Sequence, residues 1–97
     1  MSVESVKSYF KINHINKEIL EFSVSSATVE LAAQAAGVEP ARIAKTLSFY
    51  TKEKEAAVLI VTAGDMKIDN SKFKHFFGMK AKMLAPEDVE PLTGHAI

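Results

Sequence analysis

Two runs rich in apolar, β-branched and aromatic residues, 43–50 and 56–62, flank five polar residues, Thr51-Lys52-Glu53-Lys54-Glu55. Runs of this length suit strands, and so short a polar interval turns one strand back on the next. The prediction is an antiparallel hairpin, and it restricts the fold more than any other feature. The chain has 97 residues and no cysteine, so a second domain and a disulfide framework are both excluded as alternative ways to build a core. Residues 56–62 carry almost no polar side chain, the pattern of a strand covered on both faces. A lone hairpin is marginal in water, so the remaining segments must pack on it.

Those segments read mainly as helices. Residues 2–13 place Val3, Val6 and Phe10 on one helical face, with Glu4 in the first turn where the helix dipole favours an acid. Residues 28–36 carry a stripe of small side chains, Val29, Ala32, Ala33 and Ala36; Ser26 or Thr28 can cap it, and Gly37 ends it. Residues 69–77 form a third helix, capped by Asp69 or Ser71, with Phe73, Phe76 and Phe77 as its buried face and Gly78 after it. Pro86 opens a final short helix with Glu87 and Asp88 in its first turn, and Gly94 closes it. Ile19, Leu20 and Phe22 predict a short strand, as do residues 82–84, and Pro40 begins a turn. The order α-β-α-β-β-α-β-α gives a mixed α/β (α+β) class.

Composition narrows the function. Twelve Lys+Arg balance twelve Asp+Glu, and 47% of residues are hydrophobic, which argues against disorder. No apolar run approaches the ~20 residues of a membrane span. The N-terminus has no signal-peptide pattern, so a cytoplasmic protein with no membrane contact is expected. Zero net charge argues against binding bulk nucleic acid. The charge is uneven, however: residues 66–82 hold five lysines and one acid, whereas residues 83–97 hold three acids and no Lys or Arg. That stretch is either a solvated face or a limited phosphate contact. His14, His75 and His95 have no partner at metal-ligand spacing, so no metal is expected, and no cofactor loop is present. Asp65 reads as a turn residue and Asp69 as a cap. Ser25, Ser26 and Thr28 lack a nearby His–acid pair to make any of them a nucleophile. The phenylalanines at helical spacing read as core and not as a base-stacking platform.

Lys45 stands out. Alternation puts Ile43, Lys45, Leu47 and Phe49 on one strand face and Ala44, Thr46, Ser48 and Tyr50 on the other. A lysine on the more apolar face either snorkels to solvent at a sheet edge or meets a carboxylate, phosphate or carbonyl oxygen in a pocket.

Several short motifs then occur in a telling order: Ala32-Ala33 with Gly37-Val38, Ile43-Ala44-Lys45-Thr46-Leu47, Gly64-Asp65 with Lys67-Ile68-Asp69, Ala85-Pro86-Glu87-Asp88-Val89, and Leu92-Thr93-Gly94-His95. In this the chain resembles the YbaK/EbsC family, related to the editing domain of bacterial prolyl-tRNA synthetases, from about Thr28 onward. The resemblance implies a twisted, barrel-like, mainly antiparallel sheet with surrounding helices. It implies trans-editing, the hydrolysis of the ester between a wrong amino acid and the terminal adenosine of tRNA. Lys45 matches the family's functional lysine, which contacts the aminoacyl-adenosine end and supports the reaction without acting as nucleophile. Thr46 follows it in the motif. Thr28 borders the amino-acid pocket, and Gly94 and His95 fall at its rim, where His95 reads equally as a turn residue. The partners implied are the acceptor end of an aminoacyl-tRNA and an aminoacyl-tRNA synthetase. In the family a Gly-Gly-x-x-Pro loop follows Thr-Gly-His and further strands follow that loop. This chain stops at Ile97, so the expectation is one editing domain over residues 1–97, truncated at its C-terminus. The alternative function is a non-catalytic module that binds tRNA or a synthetase.

Overall fold

The computed structural model describes residues 3–97. The predicted hairpin is its centre. Strand β1 (Ala44–Tyr50) pairs antiparallel with β2 (Ala57–Ala63), in unbroken register from Ala44 opposite Ala63 to Tyr50 opposite Ala57. The turn between them closes with Thr51 N–H donating to the Ala56 carbonyl at 3.1 Å. β1 is also engaged at its other edge. Phe49 bridges to Met83, Tyr50 N–H donates to the Lys82 carbonyl at 2.9 Å, and Leu84 N–H donates to the Ser48 carbonyl at 3.1 Å. The strand expected at 82–84 is therefore a single bridge, with β1 between it and β2.

Among the described residues four α-helices accompany this sheet: α1 (Val3–Ile12), α2 (Val29–Ala36), α3 (Asn70–Phe77) and α4 (Pro86–Thr93). The expected helix at 2–13 includes Ser2, which lies outside the described residues. Thr28 is the cap of α2: its hydroxyl accepts from Leu31 N–H at 3.1 Å. Gly37 ends α2 at φ 68°, with Val38 N–H returning to Ala33 O and Gly37 N–H to Gln34 O. This paired closure needs a left-handed residue, which glycine adopts without steric cost. Asp69 caps α3 by accepting from Lys72 N–H at 3.0 Å. The mixed α/β class and the antiparallel sheet agree with expectation.

The core is small. Among the described residues only Ala33, Phe49, Phe73 and Leu84 are buried hydrophobic side chains. Phe49 of β1 meets Phe73 of α3 with ring centroids 4.9 Å apart, and Phe73 meets Phe77 at 4.5 Å. Tilted aromatic pairs of this kind add to the area they bury. The radius of gyration is 15.3 Å, more than the about 13 Å of a compact domain of 100 residues.

Three local expectations change. Residues 19–22 pair with no strand among the described residues, and Leu20 and Phe22 lie exposed. This segment is tied instead to α1 by an exposed Lys7–Glu21 ion pair at 3.1 Å. Among the described residues β2 is covered on one face only. Phe73 packs on the Phe49 side, while Leu59 and Val61 point the other way and remain half exposed or more. Phe76 leaves the predicted buried face of α3 and is 80% exposed. Phe73 and Phe77 occupy the i, i+4 row that meets the sheet; Phe76 touches only the edge of Phe77, centroids 4.8 Å apart.

Phe73→Ala is expected to cost about 3–5 kcal/mol in urea denaturation, and Phe76→Ala far less, because only Phe73 is enclosed.

Candidate active site

Lys45 is the second residue of β1, opposite Thr62 of β2. The regular register preserves alternation, so Lys45 shares its face with Leu47 and Phe49 and is half-buried. Among the described residues its side chain has no hydrogen bond or ion pair. An ammonium held at an apolar wall attracts an anion or a carbonyl oxygen more strongly than one in bulk water.

Gly64, directly after β2, brings α2 to the same end of the hairpin. A Cβ at this position would run into the Pro40 carbonyl oxygen, and would stand 2.6 Å from Val29 Cγ1 and 3.0 Å from the Ile43 carbonyl oxygen. Only a residue without a side chain lets the start of α2 and the 3-10 turn at Pro40–Arg42 lie this close to the strand end. Thr28, the residue before Val29, is thereby placed at the Lys45 end. Reading Asp65 as a turn residue did not anticipate this contact; a glycine closing a strand is the one local signal of a close approach.

Thr46 lies on the opposite face from Lys45, exposed and opposite Val61. Gly94 and His95 lie at the end of α4, and α4 is fastened at the other end of β1. The Tyr50 hydroxyl donates to Asp88 Oδ2 at 2.5 Å and accepts from Ala85 N–H at 3.0 Å. Lys45 and Tyr50 are five residues apart on β1, about 17 Å at strand rise. Gly94 takes φ 77° and caps α4 through its N–H to Glu90 O, and His95 N–H donates to Thr93 Oγ1 at 3.1 Å. Among the described residues no hydrogen bond or ion pair joins Gly94 or His95 to Lys45. The structure thus brings Lys45 and the Thr28 cap to one end, with Thr46 on the reverse face and His95 on a separate helix end.

Tyr50 was not a predicted site residue. Its bond to Asp88 raises its pKa above the ordinary tyrosine value, opposed by the Ala85 N–H and helped by burial and acidic neighbours. The protonated phenol is the form that fastens α4. Among the described residues no three His, Asp or Glu side chains gather as a metal site, and no helix is long and apolar enough to cross a membrane.

On the Lys45 face an open groove of about 700 Å³ runs between β2 and α3. Ile60, Ile68, Phe73, Phe76 and Phe77 supply its apolar lining. Lys45 does not line it; β2 lends it Ile60.

The chain matches known proteins in family, in sequence and in fold. A family model described as an aminoacyl-tRNA editing domain matches residues 24–97. The uncharacterised protein YwhH of Bacillus subtilis (strain 168) is 50% identical over 97 residues, all of this chain and 61% of that protein. A crystal structure assigned as a candidate trans-editing enzyme for prolyl tRNA synthetase superposes with a TM-score of 0.81 at 29% identity, covering 100% of this chain and 62% of that one. The structure of protein APE2540 shares the fold, with a TM-score of 0.79 at 24% identity over 95% of this chain and 61% of that one. The chain therefore spans about three fifths of the length of the relatives it matches.

Two outcomes follow from this geometry. Thr28→Ala is expected to cost about 1 kcal/mol in urea denaturation, and Thr28→Ser to restore most of it, because the hydroxyl caps α2. For Tyr50, the folded pKa lies above the unfolded one, so its contribution is fully present below the unfolded value and fades as pH rises through the folded value. Tyr50→Phe should lower thermal stability at neutral pH, and the gap from wild type should shrink on titration above pH ~10.

Proposed function

We propose that this chain, which belongs to the aminoacyl-tRNA editing domain family, acts as the substrate-holding part of an aminoacyl-tRNA deacylase that edits mischarged tRNA in trans. The single observation that carries the reading is Lys45, a half-buried cation on the apolar face of β1 at the end where α2 begins. Two things support the reading: the resemblance that aligns Lys45 with the family's motif lysine, and the overall fold shared with the candidate trans-editing enzyme.

In this reading the acceptor end of the tRNA enters at the open end of the hairpin. Lys45 binds the aminoacyl-adenosine end and faces the oxygen on which negative charge develops as the ester is attacked. A water, or a group on the substrate itself, is the nucleophile. With water, its oxygen bonds to the ester carbon, the bond to the ribose oxygen breaks, and the amino acid leaves as a carboxylic acid. The ribose hydroxyl is regenerated with a proton from that water. A fixed cation aimed at the developing oxyanion lowers the barrier because it need not reorganise during the reaction. Thr28 borders the amino-acid side of the site, and Thr46, Gly94 and His95 contribute to substrate binding from adjoining elements. A cytoplasmic setting, where tRNA is charged, and contact with a prolyl-tRNA synthetase-like partner belong to the same reading.

The test is deacylation of a panel of mischarged tRNAs by wild type and Lys45→Ala. Loss on the order of 10²–10³ in rate on at least one tRNA is expected. Equal rates for the two proteins on every tRNA would overturn the catalytic reading. Retained tRNA affinity would then favour a binding module.

A further inference from the structure

The hairpin turn and the bridge at Met83 bring two lysines onto one tyrosine. Lys54 sits in the turn at φ 58°, a left-handed conformation uncommon for a residue with a side chain. Its N–H donates to the Thr51 carbonyl at 2.9 Å, and its Nζ lies 5.8 Å from the centre of the Tyr50 ring. From the opposite edge of β1, Lys82 reaches the same ring, its Nζ 5.9 Å from the centre. Both side chains are exposed, and among the described residues neither has a carboxylate within ion-pair distance. The nearby Asp88 carboxylate accepts from the Tyr50 hydroxyl at Oδ2 and, among the described residues, forms no ion pair with either lysine. Contact with the Lys54 amine, as hydrogen-bond neighbour and then as like charge, lowers the Lys82 pKa, with burial adding to it. Two cations drawn together without an anion are mutually repulsive, and the ring they share is a weak counterweight.

The positive surface continues. Two residues before Lys82, Lys80 lines a hollow of about 320 Å³ together with Lys74, Asn70, Ser71 and Ala81. Lys74, Lys80, Lys82 and Lys54 thus form a ridge from α3 to the hairpin turn. Its neighbours Glu53, Glu55 and Glu87 make no ion pair with it among the described residues.

We propose that this ridge grips the phosphodiester backbone of the tRNA whose acceptor end reaches Lys45. The identity of that RNA rests on the editing reading above. A lone carboxylate or phosphate satisfies one lysine pair; a repeating polyanion satisfies the pair and the hollow together. The ridge meets β1 at Tyr50, about 17 Å along the strand from Lys45, so it holds the RNA body and leaves the ester chemistry to the other end. Phosphate contacts of this kind position a nucleic acid without reading its bases.

The experiment measures binding of unfractionated bacterial tRNA by fluorescence anisotropy between 50 and 200 mM salt, for wild type and three double variants. K54Q/K82Q removes the pair, K54R/K82R keeps its charge, and K7Q/K11Q removes the same formal charge from α1. The expected result is a weaker complex for K54Q/K82Q, with the log–log salt slope shallower by about 1 for each lost phosphate contact. K54R/K82R should match wild type, and K7Q/K11Q should leave the slope unchanged. A K54Q/K82Q curve that coincides with wild type, or with K7Q/K11Q, overturns the proposal, as does wild-type affinity indifferent to salt. The deacylation comparison with Lys45→Ala is read separately. A ridge that fails while Lys45→Ala still abolishes hydrolysis leaves the editing reading intact; a ridge that passes while no tRNA is hydrolysed removes the enzyme and keeps the tRNA contact.

Discussion

β1 is held at both edges, by β2 over its whole length and by the bridge at Met83 near its end. Strand pairing of this kind sets every side chain on one of two faces, because a slip of one residue would exchange them. Phe49 decides which face is inner, by packing on Phe73 of α3. Once Phe49 points inward, Lys45 must share its side, four residues along the same strand. The placement of the candidate catalytic lysine follows from an aromatic contact at the other end of the strand.

The domain separates two kinds of positive charge by the same device. Lys45 is half-buried on the apolar face near the start of α2, while Lys54 and Lys82 meet at the turn end over Tyr50. A single cation at an apolar wall suits recognition of one oxygen at close range. Clustered exposed cations suit diffuse contact with a polyanion, and are sensitive to salt for the same reason. The neutral net charge of the chain conceals this division.

Much of this was legible in the residues. The hairpin, the helix stops at Gly37, Gly78 and Gly94, the cap at Thr28 and the isolation of Lys45 on an apolar face all depend on neighbours a few positions away. Periodicity and local backbone chemistry report such neighbours directly. Phe76 was misread because helical spacing says which residues share a face and not how wide the covering element is. The strand expected at 19–22 failed because strand-like composition supplies no pairing partner. The Tyr50 contact and the Lys54–Lys82 pair left no local signal, because they depend on Asp88 and on the bridge at Met83; at Gly64 a glycine closing a strand hinted at a close approach but could not name Val29 as the neighbour.

By itself, the sequence determined the class of fold, the hairpin and the two-faced character of β1, since these arise from alternation, capping and turn residues acting over short separations. The ordered motifs also determined the family resemblance. Only the tertiary structure decided that α2 is drawn against the strand end through Gly64 and that Tyr50 fastens α4. It alone brought two distant lysines to share one ring. Those outcomes depend on long-range approach, where the absence of a single Cβ or the reach of one hydroxyl decides which elements touch.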